Sequence, residues 1–255
     1  AVRFLDLPES LGLTLLVVTS SPGGSYSNWW CSVFNADLAL SVTMTAISTI
    51  LSIIFLPVNL LLYTRFSYHG QVVSSLDWTS LFIALAVVIV AITAGLFTSY
   101  HNDSISDKRS FQHMANHMGN LAGFSLILLT VFMSNSGSES DSKIWSRHWT
   151  FYVGVALPCV GGIVIANVFS TMLRLRKPER VTVAIECCYQ NVGIATSLAL
   201  TMFQGEDLSL AMGVPFYYGV VEAVATGIYV LLAWKAGWTK APANAPIWLV
   251  LWTSY

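Results

Sequence analysis

The sequence predicts an all-α integral membrane protein in which two membrane-length helices are interrupted near their middle. Hydrophobic residues make up 55% of the chain and charged residues only 10%, whereas soluble domains carry about 25% charged residues. Two stretches, 78–100 and 110–138, contain no Asp, Glu, Lys or Arg, which is typical of membrane spans. Two more apolar segments are broken, around Pro22-Gly23-Gly24 and just after Glu186. Because hydrocarbon cannot hydrogen-bond a freed backbone group, such breaks are stable only inside protein or beside water.

Seven segments are long enough to cross a hydrocarbon core of about 30 Å as helices. In chain order they are 9–34 (broken at 20–25), 36–64, 78–100, 110–133, 146–173, 180–204 (broken near 187–191) and 208–234. The tail, residues 241–255, is too short to span. It combines two prolines with an aromatic-rich stretch, which predicts a cytoplasmic tail that lies at the membrane interface.

The basic residues predict the orientation of these spans. If the spans alternate in direction, eight of the twelve Lys and Arg residues fall on one side of the membrane. These eight are Lys108, Arg109, Arg174, Arg176, Lys177, Arg180, Lys235 and Lys240. Positive charge is concentrated in cytoplasmic loops, so the N-terminus is expected outside the cell and the C-terminus in the cytoplasm.

The first break is made of residues that weaken a helix and is followed by side-chain oxygens. Pro22 has no N–H to donate, and two glycines follow it. Ser27 and Asn28 come just past the break, and on the next span Ser41 and Thr45 share one helical face. These residues are candidates for a polar site. The alternative is a kinked helix whose serines bond to their own backbone.

The second break is centred on an acidic residue. Glu186 lies roughly 9 Å into its span, a depth at which a carboxylate should face protein or water. Gln190 is four residues further on, and unwinding there would free backbone carbonyls such as those of Cys187 and Tyr189. An all-oxygen set of this kind suits a hard cation such as Na⁺. The alternative is a hydrogen-bonded core glutamate that braces two helices.

A second intramembrane carboxylate, Glu222, lies in the middle of the last span. Three roles are open for it. It could line a substrate cavity, it could titrate, or it could be protonated and hydrogen-bonded within the protein.

Two classes of partner are not expected from the sequence. The chain has no basic stripe of the kind that nucleic-acid binding requires. The four cysteines, Cys31, Cys159, Cys187 and Cys188, show no spacing typical of a transition-metal site. We therefore interpret them as packing residues.

Four motifs, in order along the chain, carry a resemblance to a known family. They are Pro22-Gly23-Gly24-x-x-Ser27-Asn28, Asp37-Leu38-x-Leu40-Ser41-Val42-x-Met44-Thr45-x-x-Ser48-Thr49, Glu186-x-x-x-Gln190-Asn191 and Val214-Pro215-Phe216-Tyr217-Tyr218. In this arrangement the chain resembles the bile acid:sodium symporter family, and the animal sodium/bile acid cotransporters more closely than the bacterial members.

The resemblance implies a fold with two inverted repeats. A core domain, about 9–64 and 146–234, would hold the two discontinuous helices where they cross. A panel, about 78–133, would slide against this core. The resemblance also implies that the family's opening helices are absent from this chain, which would make it N-terminally truncated, and that its membrane is the plasma membrane.

The resemblance further implies a set of site residues. A first sodium site would use Ser27, Asn28, Ser41, Thr45 and Glu186. A second would use Glu186 and Gln190 with the backbone carbonyls of Cys187 and Tyr189. The substrate would be an amphipathic organic anion, such as a bile acid or a sulfated sterol. The substrate-binding residues would be Asn28, Asn191 and Glu222, of which Glu222 stands where animal relatives carry Gln.

Sodium-coupled symport of an organic anion across a membrane is therefore the leading hypothesis. It requires no covalent chemistry, so no enzyme activity is expected. Two alternatives stay open at this point. One is a seven-span receptor or sensor, which fits the span count and the external N-terminus. The other is a transport-incompetent fragment of such a carrier.

Overall fold

The computed structural model describes residues 5, 7–24, 26–68, 78–101, 105–137 and 143–252. In this part of the chain the regular structure is helical, apart from one isolated antiparallel bridge between Gly23 and Gln190. The helices are α1 (Glu9–Ser20), α2 (Tyr26–Val33), α3 (Leu38–Tyr68), α4 (Trp78–His101), α5 (Ile105–Met133), α6 (Trp149–Met172), α7 (Lys177–Cys188), α8 (Val192–Met202), α9 (Gly205–Lys235) and α10 (Ile247–Trp252). A 3₁₀ turn, Ile144–Ser146, precedes α6.

The helices agree with a multi-pass membrane protein. Within the described ranges, three helical segments are long and apolar enough to cross a bilayer: Leu38–Ser67, Trp149–Met172 and Gly205–Lys235. Shorter apolar helices are Glu9–Ser20, Leu121–Met133 and Val192–Met202. The outer faces of α3, α6 and α9 expose large apolar side chains such as Ile54, Ile165 and Leu232. A soluble monomer rarely exposes such continuous apolar surface, so these faces are the ones that contact lipid.

Both predicted interruptions are present. The first separates α1 from α2, and the second separates α7 from α8. Pro22 occupies the first gap, where its missing N–H costs no helical bond. The second gap ends at Asn191, whose side-chain oxygen accepts from the Gly193 amide at 3.1 Å and so caps the start of α8.

The short apolar helices α1 and α8 form the centre of the structure. α1 packs against α3, α8 and α9, and it is buried over almost its whole length. Its side chains Leu15 and Val18 lie in one apolar cluster with Val155 of α6 and Ile194 of α8. The long helices surround this centre. The first break itself is buried at Pro22 and Gly24, as an interruption inside a bilayer requires.

Two contacts hold the ends of α9. The guanidinium of Arg147, just before α6, donates to the carbonyl oxygens of Ser209 at 2.8 Å and Leu210 at 3.1 Å in α9. Burial lowers the pKa of Arg147 to about 10, so the group stays charged at neutral pH. In the tail, the Trp234 indole donates to the Pro242 carbonyl at 2.9 Å, and α10 packs on α2.

Candidate functional site

The two breaks meet and pair through their backbones. The Gly24 amide donates to the Tyr189 carbonyl at 3.0 Å, and the Asn191 amide donates to the Pro22 carbonyl at 2.9 Å. These bonds form the antiparallel bridge centred on Gly23 and Gln190. Each break thus supplies partners for backbone groups that the other break has released from its helix. Neither segment alone could supply hydrogen-bond partners for all the backbone groups that its own break releases.

The approach of the two breaks is close enough to require glycine. A Cβ added to Gly24 would lie 2.7 Å from the carbonyl oxygen of Gln190. A Cβ added to Gly23 would lie 2.8 Å from Oε2 of Glu186. Both distances are shorter than real Cβ contacts. At Gly24 the near atom is backbone, so the two segments can touch there only because the residue is glycine, whereas at Gly23 the Glu186 side chain would have to move.

Glu186 lies buried at this junction and contacts three hydroxyl groups. It is 6% exposed. Ser27 of α2 donates to its Oε1 at 2.6 Å, Ser41 of α3 contacts the same oxygen, and Thr45 donates to its Oε2 at 3.0 Å. The Ser41 hydroxyl also lies 2.8 Å from Oδ1 of Asn28. The structure therefore brings together all five residues of the predicted first set: the carboxylate, the three hydroxyls and the amide.

Ser48 belongs to the same junction, although the sequence analysis gave it no role. Its Oγ accepts from the Gly23 amide at 3.3 Å and donates to the Thr45 carbonyl at 3.0 Å. Ser48 follows Thr45 by three residues, so the two lie on one face of α3. That spacing is the feature of the sequence that could have indicated a role for Ser48 beside Thr45. The partner amide, 25 residues away, is set by packing and is not visible in the sequence.

The predicted second set differs from the expectation of free carbonyls. The Tyr189 carbonyl already accepts from Gly24, and the Cys187 carbonyl accepts from the Gln190 side-chain amide at 3.1 Å. At Tyr189 the reason is the close approach of the first break, which brings in the Gly24 amide. At Cys187 the donor is the side chain of Gln190, three residues further along the same break. A carbonyl oxygen has two lone pairs, so a cation at this position would have to share both oxygens with these donors.

The residues predicted to contact substrate lie around the junction in different settings. Asn28 and Asn191 are half-buried, and each side-chain oxygen is already engaged, with Ser41 and with Gly193 respectively. Glu222 of α9 is only 2% exposed. Its Oε2 accepts from the Gln190 amide at 3.0 Å. In this arrangement Glu222 is a buried, hydrogen-bonded acid, and its contact with substrate stays a prediction.

The electrostatic setting of the junction is acidic. Among the described residues the ion pairs are Arg176–Glu179 at 2.6 Å and Lys240–Asp37 at 3.9 Å, and neither involves Glu186 or Glu222. The described residues also contain no group of three or more His, Cys, Asp or Glu arranged to hold a metal ion. The ligands that the junction offers are the oxygens of carboxylates, hydroxyls, amides and peptides, which are ligands for hard cations.

Two interrupted membrane helices that meet inside the protein are typical of secondary transporters. Comparison with known families agrees, because residues 1–142 match the model of the sodium bile acid symporter family. The match covers more than half of the sequence, and the chain belongs to this family. The residues Ser27 to Thr45 lie inside the matched range, and Glu186 lies beyond it.

Individual relatives extend the similarity over most of the chain. The human ileal sodium/bile acid cotransporter is 27% identical over 255 residues, which cover 96% of this chain and 68% of that protein. Sodium/bile acid cotransporter 4 from mouse is 23% identical over 89% of this chain and 50% of its own length. The human P3 protein is 29% identical over 86% of this chain and 45% of its own length. The chain thus spans about half to two thirds of the length of these relatives.

Proposed function

We propose that this protein couples the entry of Na⁺ to the transport of an amphipathic organic anion across the plasma membrane. The observation that carries the proposal is the buried carboxylate of Glu186, held by three hydroxyls where the two breaks meet. About seven spans would form the inverted-repeat arrangement, with a core at 9–64 and 146–234 and a panel at 78–133. The N-terminus would lie outside the cell and the tail in the cytoplasm.

Na⁺ is a co-substrate in this proposal. Its first site would use oxygens of Ser27, Asn28, Ser41, Thr45 and Glu186, which the fold already gathers from α2, α3 and α7. Glu186 supplies the negative charge that a buried cation needs. Ser27, Ser41 and Thr45 are rotatable hydroxyls, whose oxygens can turn from donating to the carboxylate to accepting a cation. The second site would use Glu186 and Gln190 with the carbonyls of Cys187 and Tyr189.

Coupling would follow from where these residues lie. A cation that binds Glu186 together with Ser27 and Ser41 joins α7 to α2 and α3, and so stabilises the arrangement in which the breaks touch. If the anion binds this arrangement more tightly, it raises the affinity for Na⁺ by the same factor. The broken helices also argue against the seven-span receptor hypothesis, since such a bundle needs no unwound segment in its interior.

The substrate class rests on relatives and on charge. Two of the relatives above are named sodium/bile acid cotransporters, and bile acids are amphipathic anions. Na⁺ at Glu186 would offset the negative charge of such a substrate, and the amides of Asn28 and Asn191 would lie beside it. We therefore expect a bile acid, a sulfated sterol or a similar anion, bound between the core and the panel.

The test compares Glu186→Gln with Glu179→Gln in cells that express the chain. Glu179 is a matched control because it lies on the same helix, in the first turn and paired with Arg176. Uptake of radiolabelled bile acids and sulfated sterols is measured in Na⁺ and in choline. We expect Glu186→Gln and Gln190→Ala to reduce sodium-dependent uptake to background, and Glu179→Gln to retain it.

A binding measurement separates transport from sodium recognition. The Tm of the purified chain is measured in NaCl and in KCl at equal ionic strength. A sodium-specific increase in Tm that Glu186→Gln removes, without uptake of any anion, would identify a fragment that binds Na⁺ but does not transport. If Na⁺ and K⁺ have the same effect on the wild-type Tm, the sodium sites are wrong and Glu186 only braces the helices.

A further inference from the structure

The buried acid on α9 contacts the backbone of the second break. In a continuous helix the amide of Gln190 would donate to the carbonyl of Glu186, four residues before it. Here it donates to Oε2 of Glu222 at 3.0 Å instead. The carboxylate therefore replaces a helical acceptor, and the carbonyl of Glu186 loses the donor that a continued helix would give it.

In the first break, too, a released backbone amide donates to a side chain of a neighbouring long helix, but the acceptor is a different chemical group. The released amide of Gly23 donates to Oγ of Ser48 on α3. In both cases the acceptor side chain comes from the long helix that follows the broken pair in the sequence, α3 after α2 and α9 after α8. A neutral hydroxyl serves the first break, whereas a carboxyl group serves the second. An ionised acceptor would make the stronger hydrogen bond.

A second contact with α9 lies beside the break and involves side chains alone. Thr226 lies one turn beyond Glu222 on α9, and its hydroxyl is 3.5 Å from Sγ of Cys188, the last residue of α7. The break is therefore packed against α9 on both sides of Tyr189. Of these two contacts with α9, only the bond that the Gln190 amide donates to Glu222 engages the backbone of the break.

We propose that Glu222 is a positioning residue of the cation site: by binding the Gln190 amide, it keeps the second break unwound and holds Gln190 beside Glu186. This role rests on the proposed sodium function and is distinct from contact with substrate. It predicts that Na⁺ binding depends more on the length of the side chain at position 222, which places the acceptor oxygen, than on its charge. A shorter acid would leave the amide unpaired, and an amide of the same length would still accept its hydrogen bond.

The experiment measures the half-saturating Na⁺ concentration for the increase in Tm of the purified chain, with KCl keeping the ionic strength constant. Glu222→Gln keeps the length of the side chain and loses the charge, whereas Glu222→Asp keeps the charge and is one methylene shorter. We expect Glu222→Asp to raise the half-saturating concentration about tenfold or more, and Glu222→Gln by less than about threefold. Glu222→Met, which has no oxygen, should behave like Glu222→Asp and replaces it if that variant does not accumulate.

The controls separate this inference from the sodium proposal. Thr226→Val, on the same buried face of α9, removes a hydroxyl without touching the Gln190 amide and should leave the Na⁺ dependence at the wild-type value. A wild-type chain with no sodium-specific increase in Tm overturns the proposed function. A wild-type response in which Glu222→Gln is impaired as much as Glu222→Asp, or more, shows that charge matters and overturns the positioning role. Wild-type Na⁺ dependence in both variants overturns it as well.

Discussion

The two breaks are opened by different means. In the first, the residues Pro22-Gly23-Gly24 disfavour a helix themselves, so the local sequence is enough to cause the interruption. In the second, neither proline nor glycine occurs between Glu186 and Asn191, and the backbone is instead held by partners from the first break and from α9. The second break therefore depends on the first, while the reverse dependence is weaker.

The breaks also differ in charge. The first contributes small neutral groups, the glycine backbone and the hydroxyl of Ser27. The second has an acid on each side, Glu186 toward α3 and Glu222 on α9. The first break thus provides the room for close approach, and the second provides the carboxyl groups on which the proposed cation site depends. Variants that move the two segments apart should consequently harm sodium binding more than variants that merely relax the first break.

The largest effect is expected from Gly24→Ala. Its Cβ would lie 2.7 Å from the Gln190 carbonyl oxygen and 3.2 Å from the carbonyl carbon, so the two backbones must separate. We expect a loss of about 3 kcal/mol in the free energy of unfolding and no sodium-specific increase in Tm. Gly161→Ala is the control, because a Cβ at Gly161 meets nothing within 4 Å. A Gly24→Ala protein with wild-type Na⁺ dependence would show that the bridge between the breaks is dispensable.

A smaller effect is expected from Gly162→Ala, which adds a methyl group on α6 next to the second break alone. A Cβ at Gly162 would lie 2.9 Å from the carbonyl oxygen of Cys187, whereas its neighbour Gly161 faces open space. Gly162→Ala should lower the stability by about 1–2 kcal/mol and raise the half-saturating Na⁺ concentration several-fold. Gly161→Ala should be neutral or slightly stabilising, since alanine favours helix. Equal Na⁺ dependence in Gly162→Ala and Gly161→Ala would exclude the Cys187 carbonyl from the proposed second sodium site.

The difference between the breaks also explains how far the sequence could predict the site. The position of the first break follows from its local composition, and the shared face of Ser41 and Thr45 follows from helical spacing. The second break is indicated by a carboxylate at membrane depth, and the full set around Glu186 is what the resemblance to the family implies. The acceptors of the released amides do not, because Glu222 lies 32 residues from Gln190 in the chain. Which residue of α9 faces the break depends on how three helices pack. The same packing engages the Tyr189 carbonyl, which local reasoning had expected to be free.

Pro22→Ala should have the smallest effect, although proline is the most visible signal of a break. The bond that Pro22 makes across the junction uses its backbone carbonyl, which accepts from Asn191, and alanine keeps that group. Gly23 and Gly24 still disfavour helix, and their amides keep their acceptors in Ser48 and Tyr189. We expect a stability change within about 1 kcal/mol and a half-saturating Na⁺ concentration within about threefold of the wild type, both measured from the Tm. A loss of sodium response as large as that of Gly24→Ala would mean that proline itself holds the first break open, and that the close backbone approach of the two segments is its consequence.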